Sequence, residues 1–201
     1  MDELSALAEK YKTDKGLWHH GYTPHYHRHL QHLRQTAQCV LELGIGGYEY
    51  PDRGGESLRM WADYFNVAEI HGVDIHDKSG IKKGARITTH VGSQDDVNFL
   101  VDLVGKIGNP DVVIDDASHI NTLSIRSFQI LFPLLKPGGI YICEDVETSY
   151  WPEHGYGGCR ETDSLLPKTA VNYFMKRVHD INRKVSDLPI KSIHFYPGTV
   201  S

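Results

Sequence analysis

Asp111-Val-Val-Ile-Asp115-Asp116-Ala-Ser-His119 and, further on, Gly139-Ile-Tyr-Ile-Cys-Glu144-Asp145 are two short apolar runs that each end in adjacent carboxylates. Between them, Phe128, Leu131, Phe132 and Leu135 fall at i, i+3, i+4, i+7 spacing, the pattern of one buried helix face. A continuous apolar run of this length reads as a strand buried on both sides. Strand, helix, strand in that order makes a parallel pair.

The same alternation extends in both directions. Val40-Leu-Glu-Leu43 reads as a first strand, ended by Gly44-Ile-Gly46-Gly47, with a helix from Glu56 to Tyr64. Glu69 to Asp74 and Arg86 to Val91 read as the next strands, with a helix from Asp95 to Ile107. Pro133 should distort the last turn of the helix between the two acidic runs. Residues 165–186 are expected to be mostly helix, and Ile190 to Tyr196 a sixth strand. The fold class is therefore α/β, a doubly wound, mostly parallel, Rossmann-like sheet. The chain stops at Gly198-Thr-Val-Ser201, where a final antiparallel strand should begin. That strand is expected to be absent or truncated.

Ahead of the first strand, Leu4, Leu7, Ala8 and Tyr11 sit at helical spacing within residues 2–12. A turn, Thr13-Asp14-Lys15-Gly16, follows, and Thr23-Pro24 suits the start of a helix that runs to about Arg34. Two regions result: residues 1–35, a helical region expected to cover the site, and residues 36–201, the main domain.

Bulk properties exclude several classes. The 201 residues suit one domain with a full core, and 40% hydrophobic with 23% charged residues suits neither disorder nor a membrane protein. No apolar run approaches the roughly 18 residues of a membrane span, and the N-terminus shows no signal-peptide pattern. A net charge of -5 argues against nucleic acid as partner. The three cysteines are odd in number and widely spaced; Cys39 and Cys143 lie in or beside apolar runs and are read as reduced core residues, which fits a cytoplasmic location. The histidines from His19 to His32 match no closed zinc spacing and read as surface and helix-face residues, with one or two left to line a substrate site. The oligomeric state, monomer or homo-oligomer, is left open.

In an open parallel sheet, ligands bind outside the carboxyl ends of the strands. Both acidic tails open onto that crevice. Carboxylates held close repel unless a proton or cation lies among them. Asp116, Glu144 and Asp145 are the candidate ligands of a hard divalent ion such as magnesium. Each could instead end its strand as an ordinary helix-capping acid. Asp115 should point to the opposite face. His119 is placed to take a proton from a substrate hydroxyl.

The turn at Gly44 and Gly46 lets backbone approach a ligand closely. It departs from the Gly-x-Gly-x-x-Gly dinucleotide fingerprint. Asp74, at the end of the second strand, could accept from two ribose hydroxyls. An adenosine ligand without phosphates, S-adenosylmethionine, satisfies both features. Ser93 and Gln94 fall where its adenine edge would lie, although Ser93 could equally cap the next helix. After the fifth strand, Tyr150 and Trp151 stand in a stretch with Gly155, Gly157 and Gly158. They suit an aromatic wall for a sugar ring or another flat acceptor.

Four stretches carry a family likeness: Asp115-Asp116-Ala-Ser-His119, Ser127-Phe-Gln-Ile-Leu-Phe-Pro133, Lys136-Pro-Gly-Gly139 and Glu144-Asp145-Val-Glu-Thr-Ser-Tyr-Trp151. Together they resemble the metal-dependent macrolide-sugar O-methyltransferases, the group acting on mycinamicin VI and demethylmacrocin. Tyr11-Lys-Thr-Asp-Lys-Gly16 with Tyr22 and Tyr26, and Gly55-Glu-Ser-Leu-Arg-Met-Trp61, look like the same group. The resemblance implies a class I methyltransferase fold, S-adenosylmethionine and Mg2+ as cofactors, and a small-molecule hydroxyl acceptor, a sugar or polyol. It implies Asp116, Glu144 and Asp145 as metal ligands and His119 as general base. Glu42, Gly44, Gly46, Ser57, Asp74, Ser93 and Gln94 would contact the cofactor, and Tyr22, Tyr150 and Trp151 the substrate. Those enzymes carry an additional N-terminal domain, where this chain shows a short helical region. The rival readings are a catechol-type O-methyltransferase acting on a diphenol, a nicotinamide-dependent Rossmann oxidoreductase, and an iron oxygenase using His119 and Asp116.

Overall fold

Strand β1 (Cys39–Leu43) is buried along its whole length, because it lies between two parallel neighbours with helices on both faces. The computed structural model describes residues 1–160 and 168–201. On one side of β1 stands β2 (Glu69–Asp74), then β3 (Ile87–Val91); on the other stand β4 (Val112–Asp115) and β5 (Ile140–Glu144), all parallel. The chain thus runs outward through β2 and β3, then returns across β1 to β4. The crevice at the carboxyl ends of β1 and β4 is the point where strand order reverses.

The final antiparallel strand, expected to be missing, is present in short form. β6 (Phe195–Tyr196) and β7 (Thr199–Val200) form a hairpin about Gly198, and β7 inserts between β5 and β6. Its register places Val200 opposite Cys143 and Thr199 opposite Glu144. The sixth strand is much shorter than the expected 190–196: residues 190–193 form no ladder, and His194 adds only a pair of backbone hydrogen bonds with Ser201 ahead of Phe195.

Alternation along the strands sorts the core into two halves. Val40, Val112, Ile114 and Ile142 face one way and pack with α1 (Glu3–Tyr11), α2 (Thr23–Leu30) and α3 (Glu56–Tyr64). Leu41, Leu43, Val113, Tyr141 and Cys143 face the other way and pack with α4 (Val97–Ile107), α5 (Asn121–Leu131) and α6 (Ala170–Asn182). Each fully buried large apolar side chain contributes roughly 1.5–3 kcal/mol. Leu4, Tyr26, Leu30 and Trp61 are such residues, so the N-terminal helices are part of the same core.

The helix ends follow local chemistry. Asp2 caps α1 by accepting from Ser5 N at 2.8 Å, and Lys12 closes it in the left-handed region at φ 59°. Asp96 caps α4 by accepting from Phe99 N at 3.0 Å, so Ser93 is not the cap. After α5, Pro133 sits in a 3-10 turn, as its missing N–H requires. Of the helix expected over 165–186, Ala170–Asn182 is helical, and residues 165–167 lie outside the described residues. Cys39, Cys143 and Cys159 form no disulfide. Among the described residues, no helix is long and apolar enough to cross a membrane.

Candidate active site

The period-two geometry of the strands explains which acids meet. Glu42 on β1 and Glu144 on β5 point to the face that carries the N-terminal helices, because they follow Val40 and Ile142 in the alternation. Asp115 points to the opposite face. There it accepts hydrogen bonds from the hydroxyls of Ser127 and Tyr141 and from Gln94 Nε2. Asp115 is thus committed to structure, and burial pushes its carboxyl up to about 6.

Asp116 leaves the strand just beyond, with its N–H on Leu43 O at 2.9 Å. A Cβ added at Gly44, whose φ is +85°, would lie 2.0 Å from the carbonyl oxygen of Asp116. Only glycine lets the turn after β1 pass this close to the turn after β4. Gly46 is also left-handed, at φ +75°.

Three ligand-bearing side chains converge at this edge. Nε2 of His119 is 3.9 Å from Asp116 Oδ1 and 3.4 Å from Asp145 Oδ2. One donor atom from each of Asp116, His119 and Asp145 lies within 4.8 Å of the others. Thr148 Oγ1 donates to the His119 carbonyl at 2.9 Å, tying the loop after β5 to the base of this cluster.

Beneath it lies a residue that the sequence does not mark. The ammonium of Lys15, 1% exposed, donates to Asp116 Oδ2 and, at 2.8 Å, to Glu144 Oε2, and stands 3.6 Å from Glu42 Oε1. Burial alone would lower its pKa, but the charges of Asp116, Glu144 and Glu42 drive it well above the ordinary value, so the group is an ammonium ion. Burial, countered by Lys15, raises Glu42 to about 7. Burial and the neighbouring Asp116 raise Glu144. Lys15 reaches this position because residues 13–23 fold on themselves. Lys15 O accepts from Tyr22 N at 3.0 Å, and Gly16 O accepts from Gly21 N at 2.9 Å. A lysine in a turn looks solvent-exposed from sequence. Two signals bore on it, the unbalanced charge of the acidic tails and the Tyr11–Gly16 stretch that shares the family likeness, but neither places the ammonium among the acids.

The other expected residues divide into groups. Glu42 accepts from Ser57 Oγ at 2.8 Å, so these two are joined. Asp74 holds the glycine turn: its Oδ2 accepts from Ile45 N at 3.0 Å and its Oδ1 from His76 N at 2.9 Å. Gln94 is buried and bridges Asp115 to Ser118 N, whereas Ser93 bonds Asp95. Tyr22 is 2% exposed and stacks on His20, and its hydroxyl donates to Asp145 Oδ1 at 2.6 Å. Burial and then Asp145 push that hydroxyl above its ordinary range, so it remains a donor. Tyr150 and Trp151 are 45% and 42% exposed and free to meet a ligand, with Tyr156 and His154 edge-on to Trp151. His20 Nδ1, from the histidine cluster between His19 and His32, is 4.0 Å from Asp145 Oδ1.

The donor set suits a hard divalent cation. Asp116 Oδ1 and Asp145 Oδ2 face His119 rather than the lysine. Glu144, expected as a third carboxylate ligand, lies outside the group whose donor atoms fall within 4.8 Å of one another. Its Oε1 is buried without a hydrogen-bond partner, and its carboxylate lies close to Tyr26. Oxygen donors of this kind fit Mg2+.

Comparison with known proteins gives the geometry a context. No protein-family model matches the chain. Demethylmacrocin O-methyltransferase of Streptomyces fradiae is 48% identical over 156 residues, 78% of this chain and 39% of that protein. Mycinamicin VI 2''-O-methyltransferase of Micromonospora griseorubida is 47% identical over 204 residues, 96% of this chain and 50% of that protein. A tetracenomycin-C rhamnosyl 2'-O-methyltransferase of Streptomyces olivaceus is 39% identical, covering 97% of this chain and 53% of its own length. The chain therefore spans about half the length of these relatives, or less. Among solved structures, MycE methyltransferase in complex with Mg, SAH and mycinamycin VI superposes with a TM-score of 0.90 at 40% identity, over 99% of this chain and 53% of that one. The Mg–SAM complex of cmcI shares the fold, with a TM-score of 0.51 at 21% identity over 89% of this chain and 69% of that one.

Proposed function

We propose, from the premise that this chain is a homologue of the macrolide-sugar O-methyltransferases with the class I methyltransferase fold, that it methylates a sugar hydroxyl using S-adenosylmethionine and Mg2+. The observation that carries the proposal is the meeting of Asp116, His119 and Asp145 at the strand-order switch, beside the glycine turn.

In this reading, residues 36–201 are the methyltransferase domain and residues 1–35 cover its site. Gly44 and Gly46 bring backbone against the cofactor, and Asp74, at the end of β2, faces its ribose. Glu42 and Ser57 lie on the inner side, and Ser93 and Gln94 at the adenine edge. Asp116, Glu144 and Asp145 would hold the divalent ion, which supplies Lewis acidity toward the acceptor oxygen. Tyr150 and Trp151 give the acceptor an apolar face, and Tyr22 acts on the site through Asp145. His119 takes the proton of the acceptor hydroxyl as that oxygen attacks the methyl carbon of the sulfonium. The C–S bond breaks, and its electron pair stays on sulfur, leaving S-adenosylhomocysteine. Such a transfer depends on alignment and charge more than on covalent help.

The test has two parts. Calorimetric titration with S-adenosylhomocysteine, with NAD as control, reads the cofactor class. Transfer of labelled methyl to a panel of rhamnosyl and other deoxysugar glycosides and of diphenols, with and without chelator, reads acceptor and metal. Binding of the sulfur cofactor but not NAD, with chelator-sensitive transfer to a glycoside, is expected. Transfer to diphenols alone would replace the sugar acceptor by a catechol. NAD binding would end the methyltransferase reading.

A further inference from the structure

Resting on the metal reading above, we propose that Lys15 and Tyr22 are positioning residues that hold the three acidic ligands ready for a divalent cation by each taking ligand oxygens on one side. The contacts divide oxygen by oxygen. Asp116 gives Oδ2 to Lys15 and keeps Oδ1 toward His119. Glu144 gives Oε2 to Lys15, and its Oε1 is buried without a partner. Asp145 gives Oδ1 to the Tyr22 hydroxyl and keeps Oδ2 toward His119. Every ligand has one oxygen tied by the segment between α1 and α2 and one left over.

Two physical arguments support this arrangement. Carboxylates this close repel, so without a cation the ligands would splay or take up protons. The ammonium of Lys15 offsets that repulsion before any metal arrives. One positive charge among Glu42, Asp116, Glu144 and Asp145 still leaves the cluster negative, so it does not remove the need for a second cation. Fixing one oxygen of each ligand also limits rotation about the side chain. The metal then meets a preformed site in which each carboxylate offers a single oxygen. Partners of metal ligands commonly orient them in this way, and their loss weakens metal binding by roughly 10–100-fold.

The rival account is that Lys15 merely ties the N-terminal region to the sheet as a buried ion pair. The two accounts differ in how the variants respond to metal. Thermal midpoints of wild type and Lys15→Met are measured in EDTA and in millimolar Mg2+, and Mg2+ affinity of wild type and Tyr22→Phe by calorimetry. Removing one partner of a buried pair should lower the midpoint in EDTA by about 10 °C. The expected result is that Mg2+ restores little of this loss, because ligands no longer held in place bind the ion more weakly, so that Lys15→Met gains less from the metal than wild type does. Tyr22→Phe, which removes one hydroxyl, should bind Mg2+ about tenfold more weakly. A loss in Mg2+ no greater than in EDTA, or unchanged Mg2+ affinity in Tyr22→Phe, overturns the proposal while leaving the metal reading intact. If wild type itself binds no Mg2+, the metal reading falls and takes the proposal with it. Should Lys15→Met fail to fold, the double variant Lys15→Met/Glu42→Gln carries one repelling charge fewer. A metal gain in that protein as large as in wild type, or larger, overturns the proposal equally.

Discussion

Nε2 of His119 stands 3.4 Å from Oδ2 of Asp145, and both residues hold left-handed backbones, at φ +56° and +51°. Neither is a glycine, and each such torsion costs on the order of 1 kcal/mol or more. The surrounding bonds sustain it: Thr148 holds the His119 carbonyl and Tyr22 holds the Asp145 carboxylate. Strain of this kind, on two residues facing each other from neighbouring strand ends, belongs to a site that must aim side chains. His119→Asn suits the same torsion, because asparagine tolerates it. The variant is expected to keep S-adenosylhomocysteine affinity within a few-fold while transfer falls by about 10²–10⁴, the range of general acid–base contributions. Initial rates with labelled S-adenosylmethionine measure it. A loss under tenfold would remove His119 from the proton transfer.

Gly44→Ala tests the close crossing of the turns after β1 and β4. The added Cβ would meet the Asp116 backbone, and an alanine at φ +85° is strained even without that contact. The backbone must shift, and Asp116 shifts with it. The expected cost is about 3 kcal/mol, which in a chain of this size lowers the melting midpoint by roughly 6–12 °C. Calorimetry should show weakened S-adenosylhomocysteine and Mg2+ binding together. A variant that melts like wild type would show that the two turns move independently.

Asp74→Ala separates a turn-holding role from a cofactor role. The carboxylate accepts from the N–H groups of Ile45 and His76, and hydrogen bonds to a charged acceptor are worth about 1.5–3 kcal/mol. The variant should lose stability on that scale and bind S-adenosylhomocysteine at least about tenfold more weakly. Asp74→Asn retains one oxygen acceptor and should recover most of the stability but little of the affinity. Equal recovery of both by asparagine would assign Asp74 to the turn alone.

The middle of the sheet was legible because buried parallel strands leave nearly continuous apolar runs, as β1, β4 and β5 do, whereas β2 and β3 are mixed in character and were legible from the strand–helix alternation. The acids at strand ends were legible for the same reason, since a run that stops at a carboxylate marks where the strand meets solvent. Lys15 was not legible, because its partners Asp116 and Glu144 lie more than half the chain away and only the folding of residues 13–23 inverts it. The repulsion argument called for a cation and assigned the whole charge to a metal, whereas a lysine supplies part of it. Tyr22 read as a substrate residue from the company of its motif, and its near-complete burial under His20 depends on the same loop. β7 escaped notice because two residues, Thr199 and Val200, carry no periodicity. Ser93 lost the helix cap to Asp96, three positions on, since any short acceptor near a helix start fits equally well in sequence.

Away from the site, Nδ1 of His71 and Nε2 of His90 lie 3.2 Å apart across β2 and β3, a pair that requires one nitrogen to donate and the other to accept. Burial and then the charge of His90 depress His71 to about 4, and burial followed by Lys83 and Lys106 lowers His90. The ordinary value is near 6.5. Between about 4 and 6.5 the unfolded chain therefore binds more protons than the folded one, and stability rises with pH across that window. The pair's contribution is fully present above about 6.5 and is lost as pH falls toward 4. Glu42 and Asp115, raised to about 7 and about 6, act in the opposite sense, losing stability as pH rises through their folded values. They are common to wild type and His71→Gln, so the comparison cancels them. Between pH 7.5 and pH 5 the midpoint of wild type should fall further than that of His71→Gln by at least about 3 °C, the change that about 1 kcal/mol makes in a chain of this size. Parallel melting curves over that range would mean that the histidine pair takes up protons without cost to the fold.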